Sequence, residues 1–518
     1  METLNQVLSN LDSRKTFIRW LDFDQMISLD FAELGDLIAA NVNHFRAQGI
    51  KPGDAVAISI RSDVEHVVSF LTLITLGAIP VSLKPRLAQS ASYVAETQQL
   101  LDRYQINYRY HTLLPDSRSR PICWQAKPAG ARCSRPFQPQ PDDVAFVQFS
   151  SGSTSDPKPI PITHRNLMSN LSAILSAESR RPDETAFNFL PLSHDMGLIG
   201  GLLSNFIYQN SLLLTTPDLF LRQPIEVLKK GKELGIRGMA MPDFSLRYLS
   251  RVLSPARRSD VPNDLFAAIR FIYCGAEPIK LETIEGFITA SAPLGLDPRA
   301  LFFCYGLAEA TLLVSGRHFE TIETNFDHRG DRRPVASVGP AIGNIEIRIG
   351  EDRLDADLNG REGPIYLRGP TVFSGYWNEP PRPNGAWFRT GDIGYFRNGD
   401  LYISGREKEM LIVNGENIFP NDIENMIGAC FDVRKCLVMM EGDQLYVLIV
   451  PDRLKHVSLK AISSQICATF GISPTGIFKG SAADILRTTS GKPKRNETLL
   501  AARNRGLLNE PFEFDSND

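Results

Sequence analysis

Phe149-Ser-Ser-Gly-Ser-Thr-Ser-Asp-Pro-Lys158 decides how the rest of this chain is read. It follows an apolar run, Asp143-Val-Ala-Phe-Val-Gln-Phe149, that predicts a strand, and it precedes a helix predicted to begin near His164. Backbone N–H groups and short hydroxyls in such a turn can wrap phosphate oxygens, and the Lys158 ammonium can neutralise them. The spacing is not that of the common phosphate loop, which needs a second glycine directly before the lysine. Asp156 and Pro157 stand there instead. Ser, Thr, Asp, Gly and Pro are also ordinary turn residues, so in isolation a triphosphate grip and a plain polar turn are both open.

The segments around this loop alternate in period. Phe31 to Gln48 places Leu34, Leu37, Ile38, Val42 and Phe45 at helical spacing. Lys51-Pro-Gly-Asp54 is a turn, Ala55–Ile60 a buried strand, Val64–Leu76 a helix and Ala78–Ser82 the next strand. Strand–helix–strand units imply parallel pairing and a doubly wound sheet. The pattern recurs over Thr185–Thr216, Leu234–Leu253 and Ile269–Cys304. From Ser337 it changes to short strands between Gly, Asn and Asp turns: Ser337-Val-Gly, Ile345–Ile349, Pro364–Arg368, Trp387–Thr390 and Asp400–Ser404. That reads as a small antiparallel barrel or sandwich. After Gly405 a further unit opens, with strands near Met410–Val413 and Gln444–Val450 and helices near Pro420–Cys430 and Leu459–Phe470. The expected fold is therefore α/β: two doubly wound α/β subdomains plus a small β-barrel, then a small α+β C-terminal domain.

Composition excludes several classes. At 518 residues with 43% hydrophobic content, the chain has room for two to four domains and a large core. A net charge of -3 implies neither a nucleic-acid nor a membrane-surface partner. The seven cysteines include no C-x-x-C pair, which argues against a zinc knuckle or a disulfide framework and predicts reduced, buried thiols in a cytoplasmic protein. Met1 to Arg14 lacks an apolar signal core. The uncharged run Met196–Pro217 carries Ser204, Asn205, Gln209 and Asn210, and reads as a buried helix followed by a strand at Leu212–Thr215 rather than a membrane span.

Further motifs lie downstream: Cys304-Tyr-Gly-Leu-Ala-Glu-Ala-Thr311, Gly391-Asp-Ile-Gly-Tyr395, Gly405-Arg-Glu-Lys-Glu409 through Glu424, and Thr488-Thr-Ser-Gly-Lys-Pro-Lys-Arg495. Singly each is more often a turn than a site. In this order, over residues 30–500, they resemble the adenylate-forming superfamily of acyl-CoA ligases, luciferases and nonribosomal adenylation domains. Leu190-Pro-Leu-Ser-His-Asp-Met-Gly-Leu-Ile-Gly-Gly201, Phe220–Pro224, Pro242–Phe244, Gly275–Pro278 and Tyr305–Leu312 look like the fatty acyl-AMP ligase branch.

The resemblance implies ATP-dependent activation of a carboxylic acid, followed by transfer to the phosphopantetheine thiol of a separate acyl carrier protein. It implies that Ser151, Gly152, Ser153, Thr154 and Lys158 grip the β- and γ-phosphates, and that Thr154 and Glu309 hold Mg2+, a hard cation suited to oxygen ligands. Tyr305 and Gly306 would meet adenine, with Gly275, Ala276 and Glu277 lining its pocket. Asp392 would accept from the ribose hydroxyls and Arg406 donate near them. Lys492 would bridge the α-phosphate and the acyl carboxylate. His194 either gates an acyl tunnel, as the family pattern implies, or is a satisfied buried imidazole. The implied domains are residues 1–404, a hinge at 405–409 around Lys408, and a mobile unit at 410–518 carrying Lys492.

Three departures stand out. Ser155 and Pro159 replace glycines that usually flank the lysine, which predicts a stiffer loop. The span Arg317 to Ala336 is short and polar where acyl-AMP ligases carry an insertion. Gly415-Glu-Asn-Ile-Phe-Pro420 resembles coenzyme A ligases as much, so free coenzyme A stands as the alternative acceptor. Asp195 could meet a substrate ammonium in an amino-acid-activating enzyme, but Met196–Leu203 beside it is apolar and suits an acyl or aryl chain better.

Overall fold

The computed structural model describes residues 3–8, 11, 15–23, 25–83, 91–110, 113, 120–124, 137–149, 158–178, 184–255, 260–328, 334–350, 360–413, 416–442, 444–451, 458–487 and 493–508. Two sheets form the large N-terminal part. The six-stranded sheet runs Arg120–Ile122, Tyr108–Tyr110, Ala55–Ile58, Ile79–Ser82, Val144–Phe149, Pro159–Thr163. All its pairs are parallel except the last, Val144–Phe149 with Pro159–Thr163. Pro159, which has no N–H, is the first residue of that edge strand, the place where a sheet tolerates proline.

The eight-stranded sheet has parallel strands inside and an antiparallel pair at each edge, Leu301–Gly306 with Leu313–His318 and Thr16–Leu21 with Met26–Asp30. Helices bury their apolar faces between the two sheets. Asp63 caps Val64–Leu76 by accepting from His66 N at 2.8 Å, and Gly77 ends it in the left-handed region at φ 85. One apolar cluster, including Phe17, Phe31, Phe70, Phe146, Leu167 and Leu212, draws on both sheets, so they share a core.

The next unit, expected as a barrel or sandwich, is a four-stranded antiparallel ladder in the order Glu346–Ile349, Gly363–Arg368, Phe388–Arg397, Asp400–Arg406. Among the described residues its two edge strands do not pair with each other. The expected strand at Ser337-Val-Gly is reduced to a single bridge, Ser337 to Tyr402. Gly339 sits at φ 69 and packs against the backbone of Gly316, and Pro340 follows it, so the ladder cannot extend.

The C-terminal unit is a three-stranded sheet, Val433–Glu441, Gln444–Pro451 and Gly476–Lys479, with helices Pro420–Cys430, Leu459–Phe470 and Arg495–Asn504. Alternate residues enter two clusters: Val438, Val447 and Ile449 on one face, Leu437, Met439 and Leu448 on the other. Arg495 ties this unit together. Buried, it pairs with Glu424, donates to Val438 O at 2.6 Å and Asn421 Oδ1 at 2.9 Å, and lies 3.5 Å from Glu409 at the end of the turn Glu407–Glu409. Removing one partner of a buried ion pair leaves an uncompensated charge, at a cost of about 3–5 kcal/mol. Arg495→Met is therefore expected to speed amide hydrogen exchange across Val433–Pro451 by more than about a hundredfold, without changing exchange in Val64–Leu76. Unchanged exchange in both would show that the pair contributes little.

The six described cysteines are free, and Cys123, Cys430 and Cys467 are exposed, contrary to the expectation of buried thiols. Among the described residues no helix is long and apolar enough to cross a membrane.

Candidate active site

Strands Phe271–Cys274 and Leu301–Gly306 run parallel and end side by side, with Cys274 opposite Phe303. Their carboxyl ends carry Gly275-Ala-Glu277 and Tyr305-Gly306, the position at which open α/β sheets bind ligands. Ala276 is held at φ 68, a strained conformation for a residue with a side chain. A Cβ on Gly275 would lie 2.7 Å from Cys304 O, and one on Gly306 would lie 1.9 Å from Leu312 O. Only glycine lets the strand ends approach this closely. Glu277 turns its carboxylate to the start of helix Asp243–Val252, accepting from Phe244 N at 2.7 Å.

Tyr305 Oη donates to Asp392 Oδ2 at 2.5 Å. Arg406 Nε lies 2.9 Å from Asp392 Oδ1, and the two residues are register partners on neighbouring antiparallel strands. Asp392 is thus a strand residue, 4% exposed, rather than a turn cap. Burial, and after it the Asp392 carboxylate, push the Tyr305 phenol well up, so it remains a donor.

Glu309 sits on the turn Ala308–Ala310. Thr311 after it adopts φ 70, an outlier for a β-branched residue, and is held by its hydroxyl donating to Thr371 O at 2.7 Å. Burial raises the Glu309 carboxyl above the usual carboxylate range, against the bond from Tyr376 and the charge of Arg406; Asp195 adds to the rise. Tyr376 Oη donates to Glu309 Oε1 at 3.2 Å, and the Lys158 ammonium lies 4.5 Å from the centre of the same ring.

His194 is half-buried in the turn before the π-helix Met196–Leu203, with its N–H on Pro191 O at 3.1 Å and its carbonyl accepting from Leu198 N at 2.8 Å. Short π segments are frequent at functional sites. Asp195 Oδ1 caps this helix by accepting from Met196 N at 2.8 Å.

Tyr305, Gly306, Glu309, Gly275, Ala276, Glu277, Asp392 and Arg406 thus converge on one end of the eight-stranded sheet, and Tyr376 links Lys158 to them. Ser151, Gly152, Ser153, Thr154 and Lys492 lie outside the described residues. Arg487 and Pro493, which bracket Lys492, form an isolated bridge, and Arg487 is close enough to Glu277 to feel its charge. Among the described residues no three His, Cys, Asp or Glu side chains gather for a metal. Tyr376 was absent from the sequence-based site. Its loop, Gly375-Tyr-Trp-Asn-Glu-Pro380, reads only as a turn.

Residues 10–377 match the AMP-binding enzyme family. The chain is 28% identical over 518 residues to the long-chain-fatty-acid–AMP ligase FadD26 of Mycobacterium tuberculosis, covering 88% of each. It is 26% identical over 512 residues to the 4-hydroxyphenylalkanoate adenylyltransferase of the same organism, covering 86% of this chain and 82% of that one. A structure from a study of fatty acyl-adenylate ligases of E. coli and L. pneumophila superposes with a TM-score of 0.83 at 25% identity, covering 98% of each chain.

Proposed function

The chain belongs to the AMP-binding enzyme family, and on that premise we propose that it is an acid-activating ligase of the fatty acyl-AMP type. A carboxylate oxygen attacks the α-phosphorus of ATP, the bond to the β-phosphate breaks, and pyrophosphate leaves. The thiol of a carrier protein's phosphopantetheine then attacks the acyl carbon, AMP leaves, and the thiol proton passes to solvent.

The observation that carries this reading is the Tyr305–Asp392–Arg406 arrangement at the strand ends. A buried carboxylate held by a phenol and a guanidinium is oriented to accept further hydrogen bonds, as two ribose hydroxyls would supply. Lys158 and the masking of phosphate charge by Ser151, Gly152, Ser153 and Thr154 serve the triphosphate end. Lys492, on the C-terminal unit, supplies positive charge between α-phosphate and carboxylate once that unit closes about residues 405–409.

Glu309 fits a divalent cation. It is a hard oxygen donor, desolvated, with its carboxyl pushed toward the neutral form, so a cation would restore what burial removes. Mg2+ held by Glu309 and Thr154 would neutralise phosphate charge. Asp195 is already engaged as a helix cap, and the apolar Met196–Leu203 beside it suits an acyl or aryl chain rather than an amino acid.

ATP–pyrophosphate exchange with fatty, arylalkanoic and amino acids is expected to respond to the first or second class and not to the third. Offered coenzyme A and a holo-carrier protein side by side, the enzyme is expected to load the carrier at least about tenfold faster, the equivalent of 1.4 kcal/mol in the transition state. Efficient acyl-CoA formation would make it a coenzyme A ligase instead. Exchange only with amino acids would overturn the acid assignment.

A further inference from the structure

We propose that Tyr376 is a positioning residue: its ring face supports the Lys158 ammonium while its hydroxyl fixes the Glu309 carboxylate, setting the separation of two charges that a metal–triphosphate complex must meet together. The proposal rests on the reading of Lys158 and Glu309 given above.

The backbone of the same segment is fastened at both ends of this pair. Phe373 N donates to Glu309 O at 2.8 Å, and Trp377 N donates to Pro159 O at 3.0 Å. Tyr376 therefore sits on a short bridge between the turn bearing Glu309 and the exit of the phosphate loop. The bridge is itself anchored. Thr311 Oγ1 donates to Thr371 O at 2.7 Å, and Asn166 Nδ2, from helix His164–Glu178, donates to Pro370 O at 2.8 Å. The Tyr376 ring packs edge-on against the buried Phe373, with centroids 5.0 Å apart. Its direction is thus set by packing before any ligand arrives.

The two contacts differ in kind. A ring face attracts an ammonium through its charge without accepting an N–H bond, so this contact aims Lys158 without itself taking up a donor. The phenol, by contrast, occupies one lone pair of Glu309 Oε1, and a carboxylate has further lone pairs with which to meet a cation. A mere packing residue would not make both contacts at once. The lysine and the carboxylate come from separate segments, at positions 158 and 309, and Tyr376 touches both.

The test separates the two contacts. Tyr376→Phe keeps the ring and loses the hydroxyl; Tyr376→Leu loses both. Tyr376→Phe removes a hydrogen bond to a charged group and is expected to raise the Mg2+ concentration for half-maximal exchange about tenfold. Mn2+ uptake by the enzyme–ATP complex, followed by electron paramagnetic resonance, should weaken in parallel, while metal-free ATP affinity changes less than about twofold. Tyr376→Leu is expected to add a roughly threefold loss of metal-free ATP affinity, the scale of an exposed cation–π contact. Variants identical to each other or to the parent enzyme in both measurements would overturn the proposal. If Tyr376→Leu fails to fold, the split between Mn2+ uptake and metal-free ATP affinity in Tyr376→Phe decides alone. Parent enzyme that binds Mn2+–ATP but exchanges with no acid would refute the ligase reading and leave the Tyr376 comparison standing.

Discussion

Lys492→Ala is expected to lower acyl-adenylate formation by about 10²–10³-fold and to spare thioester formation from preformed acyl-AMP, the scale being that of removing one donor from a developing charge. The first half-reaction brings an anionic carboxylate onto an anionic triphosphate, so like charges meet at the reacting centre. In the proposed function Lys158 and Glu309 serve the β- and γ-phosphates, which leaves the repulsion at the carboxylate to be met by another group. An ammonium between the two reacting groups is the missing charge; Lys492 stands in the sequence between Arg487 and Pro493, which bridge each other, and Arg487 is close enough to Glu277 to feel its charge. The second half-reaction needs no such neutralisation, because the leaving group is AMP and the nucleophile a thiol. On the proposed closure about residues 405–409, the small unit would be free to carry Lys492 away before this step. Pyrophosphate exchange measures the first step, and a synthetic acyl adenylate with carrier protein measures the second. Equal loss in both would mean that Lys492 supports the fold or serves both steps.

What could be read from the residues depended on whether each local pattern had a single solution. Val64–Leu76 was legible because Asp63 and Gly77 mark its ends and its apolar residues have nowhere to go but between two sheets. Pro420–Cys430 and Leu459–Phe470 were legible for the same reason, with proline at the start of one and Gly471 after the other. Strands Val433–Glu441 and Gly476–Lys479 were not read. The first feeds apolar clusters on both faces, which erases the alternation that marks a half-buried strand, and opens with the exposed Arg434 and Lys435. Ser337-Val-Gly looked like a strand because nothing in it reports that Gly339 must lie against Gly316. At the site, Tyr305, Glu309, Asp392 and Arg406 were legible through the resemblance, but their mutual bonds were not. Asp392 meets Arg406 through sheet register and Tyr305 through the packing of two sheets, and neither follows from sequence spacing. Tyr376 had no signal at all, since its importance comes from residues more than sixty positions away.

The second large effect is expected at Asp392. Asp392→Asn keeps the side-chain shape but replaces one acceptor oxygen by a donor, facing either the Tyr305 hydroxyl or Arg406 Nε. A nucleotide ribose would find one acceptor where there were two. At about 1.5–3 kcal/mol for each hydrogen bond to a charged group, ATP affinity should fall about a hundredfold. The side chain is only 6% exposed, so solvent cannot substitute for the lost acceptor. A structural role alone would also weaken ATP binding, by loosening the ladder between Phe388–Arg397 and Asp400–Arg406. Deoxynucleotides separate the two explanations. The parent enzyme should prefer ATP over 2′-deoxy- and 3′-deoxy-ATP by about tenfold or more each, one charge-assisted hydrogen bond being removed at a time. In Asp392→Asn at least one of those preferences should collapse to nearly unity, because the bond that the hydroxyl made no longer exists in either complex. If the variant binds all three nucleotides more weakly yet keeps both preferences, Asp392 holds the sheet and another group reads the ribose.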